Sequence, residues 1–326
     1  MRLVLGGDAM LGRMVDRWRL AVGDSPLEAI APMLRQADLA AVNLECAITA
    51  DPGWYAGPPK AFYFKARPAA ARMLAEAGVD LVSLANNHAL DAGITGLIDT
   101  LHWLDAHHIA HAGAGRNLAE AAAPALLDRG GMRVALLAYC DHQADFAAGP
   151  DRPGIRYVDL TALEAALHTV SEDVRRARTQ ADCVIVAWHW QPNWAPVVEA
   201  PYRRLAHACL EAGATVVWGH SPHHFQGVEW SGPGAILYAT GDLVDDYAVD
   251  PAFRNDRQLL FALTLSAEGV QRVEALPLTI AEGRVVPAGP EARAWIARSF
   301  ARYCEDVGTR VHDEGAWIVA EKRVTS

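Results

Sequence analysis

Three histidines lie within five positions of one another in the segment GHSPHHFQG (219–227), namely His220, His223 and His224. The segment directly follows the apolar run TVVW (215–218), which is typical of a buried strand. Histidine at such a position serves as a metal ligand or as a proton carrier. This histidine cluster alone does not distinguish a functional site from a polar loop. Further ligands or acid-base residues at the ends of other predicted strands would support a functional site.

Polar side chains follow seven of the predicted strands at the same point, the carboxyl end. Strand ends converge at one edge of an open α/β sheet, which is where sites assemble. Carboxylates, amide oxygens and imidazoles together suit a divalent cation such as Mn, Zn, Fe, Mg or Ca. The pattern therefore favours a metal site over unrelated polar loops. The residues concerned are Asp8, Asn43, Glu45, Asn86, Asn87, His88, Asp91, Asp141, His142, His189, His220, His223 and Asp242.

Short apolar runs alternate with helix-like segments, which indicates a largely parallel sheet covered by helices. Gly130-Gly131 and the stretch 267–269 predict two hairpins, so a mixed sheet or two packed sheets is expected. We treat residues 1–326 as one domain. The predicted strands are 2–5, 39–42, 80–85, 109–112, 133–139, 183–188, 215–218 and 235–239, and the predicted helices are 26–37, 67–78, 96–108, 161–180, 200–213 and 290–306.

The composition excludes some classes of partner. Of 326 residues, 39 are acidic and 29 basic, and the net charge of −10 argues against binding to nucleic acid or to an anionic membrane. An anionic substrate held by a bound cation stays compatible with this charge. Five scattered cysteines are expected to be buried thiols in a reducing compartment. The chain shows neither a signal peptide nor an apolar run of membrane-spanning length, so we expect a cytoplasmic protein.

Six segments carry a resemblance to a known family. GGDAMLGR, NLE, LANNHALDAG, AWHWQPNW, GHSPHHFQG and LYATGDLVDDY occur in the order found in the CapA family of capsule, or poly-gamma-glutamate, biosynthesis proteins. That family is similar to a branch of the calcineurin-like metallophosphoesterases. The resemblance runs from Arg2 to about Tyr247. It implies an α/β fold, a four-layer αββα sandwich of two mixed β-sheets flanked by helices, with the site on loops at one edge.

The resemblance also implies roles for individual residues. His88 would be the proton-transfer residue, placed beside a divalent cation. The residues implied to surround the cation are Asp8, Glu45, Asn87, His189, His220 and His223.

Three departures from the metallophosphoesterase pattern leave the number of ions open. Met10 stands where an Asp-x-His motif has its histidine, and Asn43-Leu44-Glu45 replaces an Asp-rich motif. The last motif reads His-x-x-His, with Pro222 inside, in place of His-x-His.

Several further residues have two interpretations from the sequence. Asp91 either orients the imidazole of His88 or caps a helix before Gly93. Asp141 and His142 either assist acid-base chemistry or belong to an ordinary loop. His223 is a candidate for acid-base chemistry as well as for metal binding.

The remaining candidates concern the substrate pocket. Lys60 and Lys65 either hold a substrate carboxylate or phosphate or pack in an aromatic loop. Trp188 is expected in the core, whereas Trp190 and Trp194 either pack there or line the pocket.

The leading functional hypothesis is a metal-dependent hydrolase that acts on a phosphoester or amide bond of a small-molecule or peptide substrate. The alternative is a cation-assisted epimerase, in which His and Asp pairs remove and return a proton on a peptide residue. A third hypothesis is a non-catalytic protein that keeps the site to bind a ligand.

Overall fold

The structure, a computed structural model that describes residues 1–322, contains two large β-sheets and two small ones. Its strands are β1 (Arg2–Ala9), β2 (Leu39–Leu44), β3 (Ala47–Ile48), β4 (Lys65–Ala66), β5 (Leu81–Ser83), β6 (Ala110–Ala112), β7 (Ala114–Gly115), β8 (Ala125–Arg129), β9 (Met132–Cys140), β10 (Gly154–Ile155), β11 (Cys183–His189), β12 (Val216–His220), β13 (Val228–Ser231), β14 (Gly234–Leu237), β15 (Asp242–Val244), β16 (Arg257–Ser266), β17 (Gly269–Ala281), β18 (Arg284–Pro287), β19 (Arg310–Glu314) and β20 (Trp317–Glu321).

Helices of very different length connect these strands. The longer ones agree with the predicted helices to within a few residues, because each shows an apolar face at helical spacing over several turns. Gly78 follows the third helix in a left-handed conformation (φ 97°), as predicted for a helix-ending glycine. The helices are α1 (Arg13–Trp18), α2 (Ala31–Arg35), α3 (Ala69–Ala77), α4 (Gly93–Ala106), α5 (Leu118–Ala122), α6 (Leu163–Arg178), α7 (Ala200–Glu211) and α8 (Pro290–Glu305).

Both large sheets are mixed, as the predicted hairpins require. The first sheet has the order β19-β20-β17-β16-β1-β2-β5-β6, in which β1, β2, β5 and β6 are parallel, and β15 also pairs with β1. The second has the order β13-β14-β12-β11-β9-β8, with a parallel centre and antiparallel edges. The hairpins β8–β9 and β16–β17 confirm the two predicted turns.

The second sheet packs against the first with one face and against helices with the other. Successive residues of a strand point to opposite faces. Leu136 of β9 and Ile185 of β11 belong to the apolar core shared with the first sheet, whereas their neighbours Leu137 and Val186 pack with α6 and α7. Helices α2 and α4 contact β2 and β6 of the first sheet. The expected sandwich of two mixed sheets flanked by helices is confirmed.

One predicted helix is shorter than expected. The segment 26–37 is helical only as α2, because Pro32 removes a backbone donor and its ring blocks continuation toward the preceding turn. The short helices α1 and α5 and the final strands β19 and β20 were not predicted, since each is too short to show a clear period. That the whole chain forms a single domain stays a prediction.

Two features of the structure relate to expectations from the sequence: the state of the cysteines and the length and polarity of the helices. All five cysteines are buried and free, as expected. None of the helices within residues 1–322 combines the length and the apolar character that crossing a membrane requires.

The strand register brings polar residues of different strands side by side. Asp8 of β1 lies opposite Asn43 of β2 and opposite Asp242 of β15, while His189 of β11 lies opposite His220 of β12. Each of these residues stands at or near the carboxyl end of its strand, except Asp242, which begins β15.

The close approach of β1 to the turn before β15 depends on Gly7. A Cβ atom at this position would lie 1.9 Å from the carbonyl oxygen of Gly241, a backbone atom that cannot move aside alone. Gly7→Ala should therefore separate Asp8 from Asp242 and destabilise the fold by about 1–3 kcal/mol.

Urea unfolding would measure this change, with Gly289→Ala as the matched control. Gly289 has a negative φ, and a Cβ atom there would meet no other atom within 4 Å, so its replacement should cost only the preference of the α8 N-cap for glycine over alanine, less than about 1 kcal/mol. Equal stability of the two variants would contradict the proposed packing constraint.

Candidate metal centre

The first group of possible ligands joins the two sheets. Asp8, His189 and His220 are all buried, and one ligand atom from each lies within 4.8 Å of the others. Nδ1 of His220 lies 2.9 Å from Nδ1 of His189 and 3.5 Å from Oδ1 of Asp8. Two imidazoles and one carboxylate form a nitrogen-rich donor set.

The second group shares Asp8 with the first and is richer in oxygen. Ligand atoms of Asp8, Glu45, His223 and Asp242 lie within 4.8 Å of one another. Nδ1 of His223 lies 2.9 Å from Oδ1 of Asp242 and 3.9 Å from Oδ2 of Asp8. The Tyr247 hydroxyl donates a 3.2 Å hydrogen bond to Oε2 of Glu45. Asp8 is thus placed to contact ions in both groups.

Buried atoms without hydrogen-bond partners surround these groups. Buried polar atoms are nearly always bonded, so each exception needs a partner of another kind. The exceptions here are carboxylate and amide oxygens and an imidazole nitrogen, which are common ligands of divalent cations. The residues present therefore fit a divalent cation. Within residues 1–322 these atoms include Glu45 Oε1, Asn87 Oδ1, His220 Nε2, Asp242 Oδ2 and Asp245 Oδ2.

Burial shifts the protonation of the whole cluster. Burial, together with the charge of Asp242, raises the pKa of Asp8 to about 7. Burial likewise raises the pKa of Glu45 and of Asp242 well above their ordinary values. Burial lowers the pKa of His220 to about 3, which leaves its imidazole neutral. Without a cation, the carboxyl groups are balanced only by protons.

His88 is held by a pair of interactions beside the cluster. Its Nδ1 lies 2.5 Å from Oδ2 of Asp91, whose other oxygen lies 2.5 Å from Nζ of Lys60. Because the carboxylate only accepts, Nδ1 of His88 carries the proton and Nε2 keeps its lone pair. Burial lowers the pKa of His88 to about 4, against the raising effect of Asp91. The Phe64 ring stacks on the imidazole at 3.9 Å.

The structure decides between the alternatives for Asp91 and for the lysines. The Asp91 carboxylate accepts from His88 and from the Phe64 backbone N–H. The N-cap residue of α4 is Ala92, and no side chain caps this helix, so the helix-cap interpretation of Asp91 is wrong. Lys60 is bonded to Asp91 and to the Asn87 carbonyl oxygen, and is not available to a substrate anion.

Lys65 is also occupied. Its Nζ donates to the carbonyl oxygens of Asp51 and Gly53 and lies over the Trp54 ring. This is the loop packing that the sequence offered as one of two interpretations.

Asp141 and His142 lie next to the cluster on the side of His189. The His142 ring is 5.7 Å from the His189 ring, and its nitrogens lie 2.7 Å from Asp141 Oδ1 and 2.7 Å from the Gln191 carbonyl oxygen. Burial opposes the charged form of His142, but the hydrogen bond to Asp141, the charge of Asp141 and the Gln191 carbonyl oxygen together outweigh burial, so the pKa of His142 is raised. Because both ring nitrogens are engaged, His142 is better placed to support its neighbours than to transfer protons to a substrate.

The tryptophans around His189 differ in position. Trp188 and Trp190 are fully buried between the second sheet and its helices. Trp194 lies at the surface of the cavity beside the site, together with His88 and His223.

Four residues of the site were absent from the predicted ligands. Asn43 donates 2.7 Å to Asp8 Oδ1 and accepts from Asn86 at 3.1 Å, and Asp242 joins the second group. These three had a signal, because each follows a predicted strand. Tyr247 had none, since it lies in a loop without strand or helix periodicity.

Comparisons with known proteins cover most of the chain. A family model described as "Bacterial capsule synthesis protein PGA_cap" matches residues 2–247. The probable polyglutamine synthesis accessory protein of Mycobacterium tuberculosis (strain CDC 1551) is 31% identical over 95% of this chain and 92% of its own length. The PGA biosynthesis protein CapA of Bacillus subtilis is 29% identical over 86% of this chain and 72% of its own. A solved 5'-nucleotidase from Candida albicans is 10% identical with a TM-score of 0.45, covering 85% of this chain and 51% of that one.

Removing a ligand should lower metal content without unfolding the protein. We expect His220→Ala and Asn87→Ala each to weaken Mn²⁺ binding by at least about tenfold, because each removes a donor atom that has no other partner. Metal analysis after gel filtration would measure this, with circular dichroism to check the fold. His102→Ala, which removes an exposed histidine of α4, should retain full metal content. Unchanged metal content in His220→Ala would exclude that residue as a ligand.

Above pH 6.5, where buried histidines such as His220 are neutral in both the folded and the unfolded chain, the stability of the metal-free protein should fall as the pH rises. A carboxyl group with a raised pKa binds a proton in the folded chain that the unfolded chain has already lost, so folding favours low pH across that interval. For Asp8 the interval runs from its ordinary value of 3.8 to about 7.

Thermal melting with and without Mn²⁺ would test this. The gain in Tm on adding metal should be larger at pH 8 than at pH 5, by at least about 3 °C, because the ligands compete with protons at the lower pH. An equal gain at both pH values would contradict the assignment of these carboxyl groups to the metal centre.

Proposed function

This chain belongs to the bacterial capsule synthesis protein PGA_cap family, and we propose that it is a metal-dependent hydrolase of a phosphoester or amide bond. The observation that supports this most directly is the sharing of Asp8 by two groups of ligand atoms, with the His88–Asp91 pair beside them. Hydrolysis needs a means of polarising the substrate and a means of moving a proton, and the two parts lie at one cavity.

The chain supplies a mixed set of donors for the cation. A divalent cation bound there would polarise a phosphoryl or carbonyl oxygen and make water more acidic. Asn43 and Asn86 fix the carboxylate of Asp8 through a chain of hydrogen bonds, which keeps the donor set in place. The residues proposed to hold the cation are Asp8, Glu45, Asn87, His189, His220, His223 and Asp242.

His88 is the proposed proton-transfer residue. Its Nδ1 is committed to Asp91, so the proton moves to and from Nε2. A neutral imidazole accepts a proton from the attacking water and returns it to the leaving group. Lys60 and Phe64 hold Asp91 and the imidazole in position from the other side.

The relatives' names suggest where such a reaction belongs. One is named for PGA biosynthesis and another for polyglutamine synthesis, so we place the substrate among polymers or peptides of that kind, with an amide bond as the target. The five buried free thiols favour a reducing compartment such as the cytoplasm.

Epimerisation is the second candidate, and one observation favours it. His88 and His223 line the same cavity, and each is paired with a buried carboxylate behind it, Asp91 and Asp242 respectively. An epimerase needs acid-base groups on two sides of the reacting carbon atom, one to remove the proton and one to return it. Because His223 is also a proposed metal ligand, hydrolysis accounts for more residues of the site than epimerisation does.

Isotope labelling would separate the two activities. In ¹⁸O-water, the Mn²⁺-loaded protein should place label in the product of bis(p-nitrophenyl) phosphate or of L-γ-glutamyl-p-nitroanilide. His88→Gln should slow that step by roughly two to four orders of magnitude, the usual contribution of acid-base catalysis. Its metal content should stay unchanged, which distinguishes loss of proton transfer from loss of the cation.

The opposite isotope pattern would identify the epimerase. Deuterium from D₂O would then replace a C–H hydrogen of a glutamyl or other peptide substrate. The product would contain no ¹⁸O, and in ordinary water it would have the same mass as the substrate. That result would replace hydrolysis as the proposed activity.

A further inference from the structure

A cavity of about 610 Å³ opens beside the metal centre. His88, Asn87 and His223 lie at its inner end, next to the proposed ligands. Other parts of its lining are aromatic side chains and two basic residues. These are Phe62, Phe64, Trp194, Tyr247, Arg13 and Lys60.

The two basic residues differ in how they are bonded. Lys60 is almost fully buried and directs its ammonium group at Asp91, at the Asn87 carbonyl oxygen and toward Nδ1 of His88 at 3.5 Å. Because Nδ1 of His88 already donates to Asp91, Lys60 donates to Asp91 and to the Asn87 carbonyl oxygen, and its charge is paired with the Asp91 carboxylate. Arg13 donates no hydrogen bond within residues 1–322, and 38% of its side chain is exposed. A guanidinium group has five N–H donors, so Arg13 retains its capacity for an anion.

Arg13 is also held in a defined position. Its guanidinium lies over the rings of Phe62 (5.8 Å) and Phe64 (5.7 Å), and its Nε is 3.3 Å from Oδ1 of Asp246. Asp246 is itself fixed, because its other oxygen accepts the backbone N–H of Met14 at 2.7 Å.

The backbone at this point is unusual. Arg13 has a φ of 50°, in the left-handed region that a residue other than glycine rarely adopts. Such a conformation costs free energy and is found most often at functional sites. Gly12 packs so closely on the backbone of Lys65 that a Cβ atom there would lie 2.9 Å from its nitrogen. The start of α1 therefore packs tightly against the residue that follows Phe64, and Arg13 lines the cavity.

We propose that Arg13 binds an oxyanion that the substrate carries in addition to the bond that reacts. The guanidinium matches a carboxylate or a phosphate through two parallel hydrogen bonds, and the aromatic walls accept the apolar or planar part of the same molecule. The proposal rests on the proposed function only in taking this cavity as the substrate site.

Binding of simple aromatic acids tests the proposal without requiring turnover. Isothermal titration of the Mn²⁺-loaded protein would compare 4-phenylbutyrate, its neutral amide 4-phenylbutyramide, and 3-phenylpropyl phosphate. We expect at least one of the two anions to bind at least about tenfold more tightly than the amide. Whichever anion binds more tightly identifies the oxyanion that the site prefers.

Variants assign this preference to Arg13. In Arg13→Gln the anion and the amide should bind equally, whereas Arg13→Lys should retain part of the difference because it keeps the charge but not the fork of donors. Arg17→Gln, which removes another exposed arginine of the same helix, should behave like the wild type. A preference for the anion that survives in Arg13→Gln would overturn the proposal, since the anion would then contact the metal centre. Equal binding of anions and amide in the wild type would overturn it as well.

These outcomes are independent of the proposed hydrolysis. If no labelled product forms from any probe while the Arg13-dependent preference persists, the proposed reaction is wrong and the binding site stands. If hydrolysis occurs but Arg13→Gln leaves binding and the KM unchanged, the reaction stands and this assignment fails.

Discussion

The burial of four carboxyl groups at one edge of the sandwich is the constraint on which the site depends. Asp8, Glu45, Asp242 and Asp245 are almost completely removed from solvent, and burial raises the pKa of each. Taking ionised carboxylates out of water costs several kcal/mol each unless opposite charge lies nearby. Lys60, which lies beside the cluster, is bonded to a different carboxylate. Protons or a divalent cation must therefore balance this cluster, and the same free energy that disfavours unbalanced carboxylates favours metal binding.

Such a cluster is tolerated because the core fixes the strands that carry it. The two sheets share one apolar core, so β1 from one sheet and β12 from the other hold Asp8 and His220 in constant relation. Gly7 allows β1 to approach the backbone of Gly241 more closely than any side chain would permit. The ligands are consequently placed by hydrophobic packing and backbone hydrogen bonds, so they are already ordered when the chain has folded. In a site formed by flexible loops, the ligands would have to become ordered on binding.

The sequence predicts the parts of this arrangement that follow from periodicity. Long apolar strands and amphipathic helices show their pattern over many residues, and strands such as β9 and β11 were expected for that reason. The ligands at their ends follow from the rule that strand ends converge. The number of ions does not follow, because it depends on distances: only the structure shows that Asp8 is shared by two groups of ligand atoms. Tyr247 lies in a loop and Arg13 begins the short helix α1. Neither segment shows a helix or strand period in the sequence from which its conformation could be predicted.

The loop between β3 and β4 illustrates how a segment without periodicity acquires a defined role. Lys60 from this loop is bonded to Asp91 at the start of α4, and Asp91 fixes the proton on Nδ1 of His88. The Phe64 backbone donates 2.6 Å to the same carboxylate, and its ring covers the imidazole. The position of the loop and the orientation of His88 are therefore coupled, since Lys60, the Phe64 backbone and His88 all bond the same carboxylate. The loop also forms part of the cavity wall, where Phe62 and Phe64 lie beneath Arg13. A single segment thus connects the wall proposed to contact the substrate with His88, the residue proposed to transfer the proton.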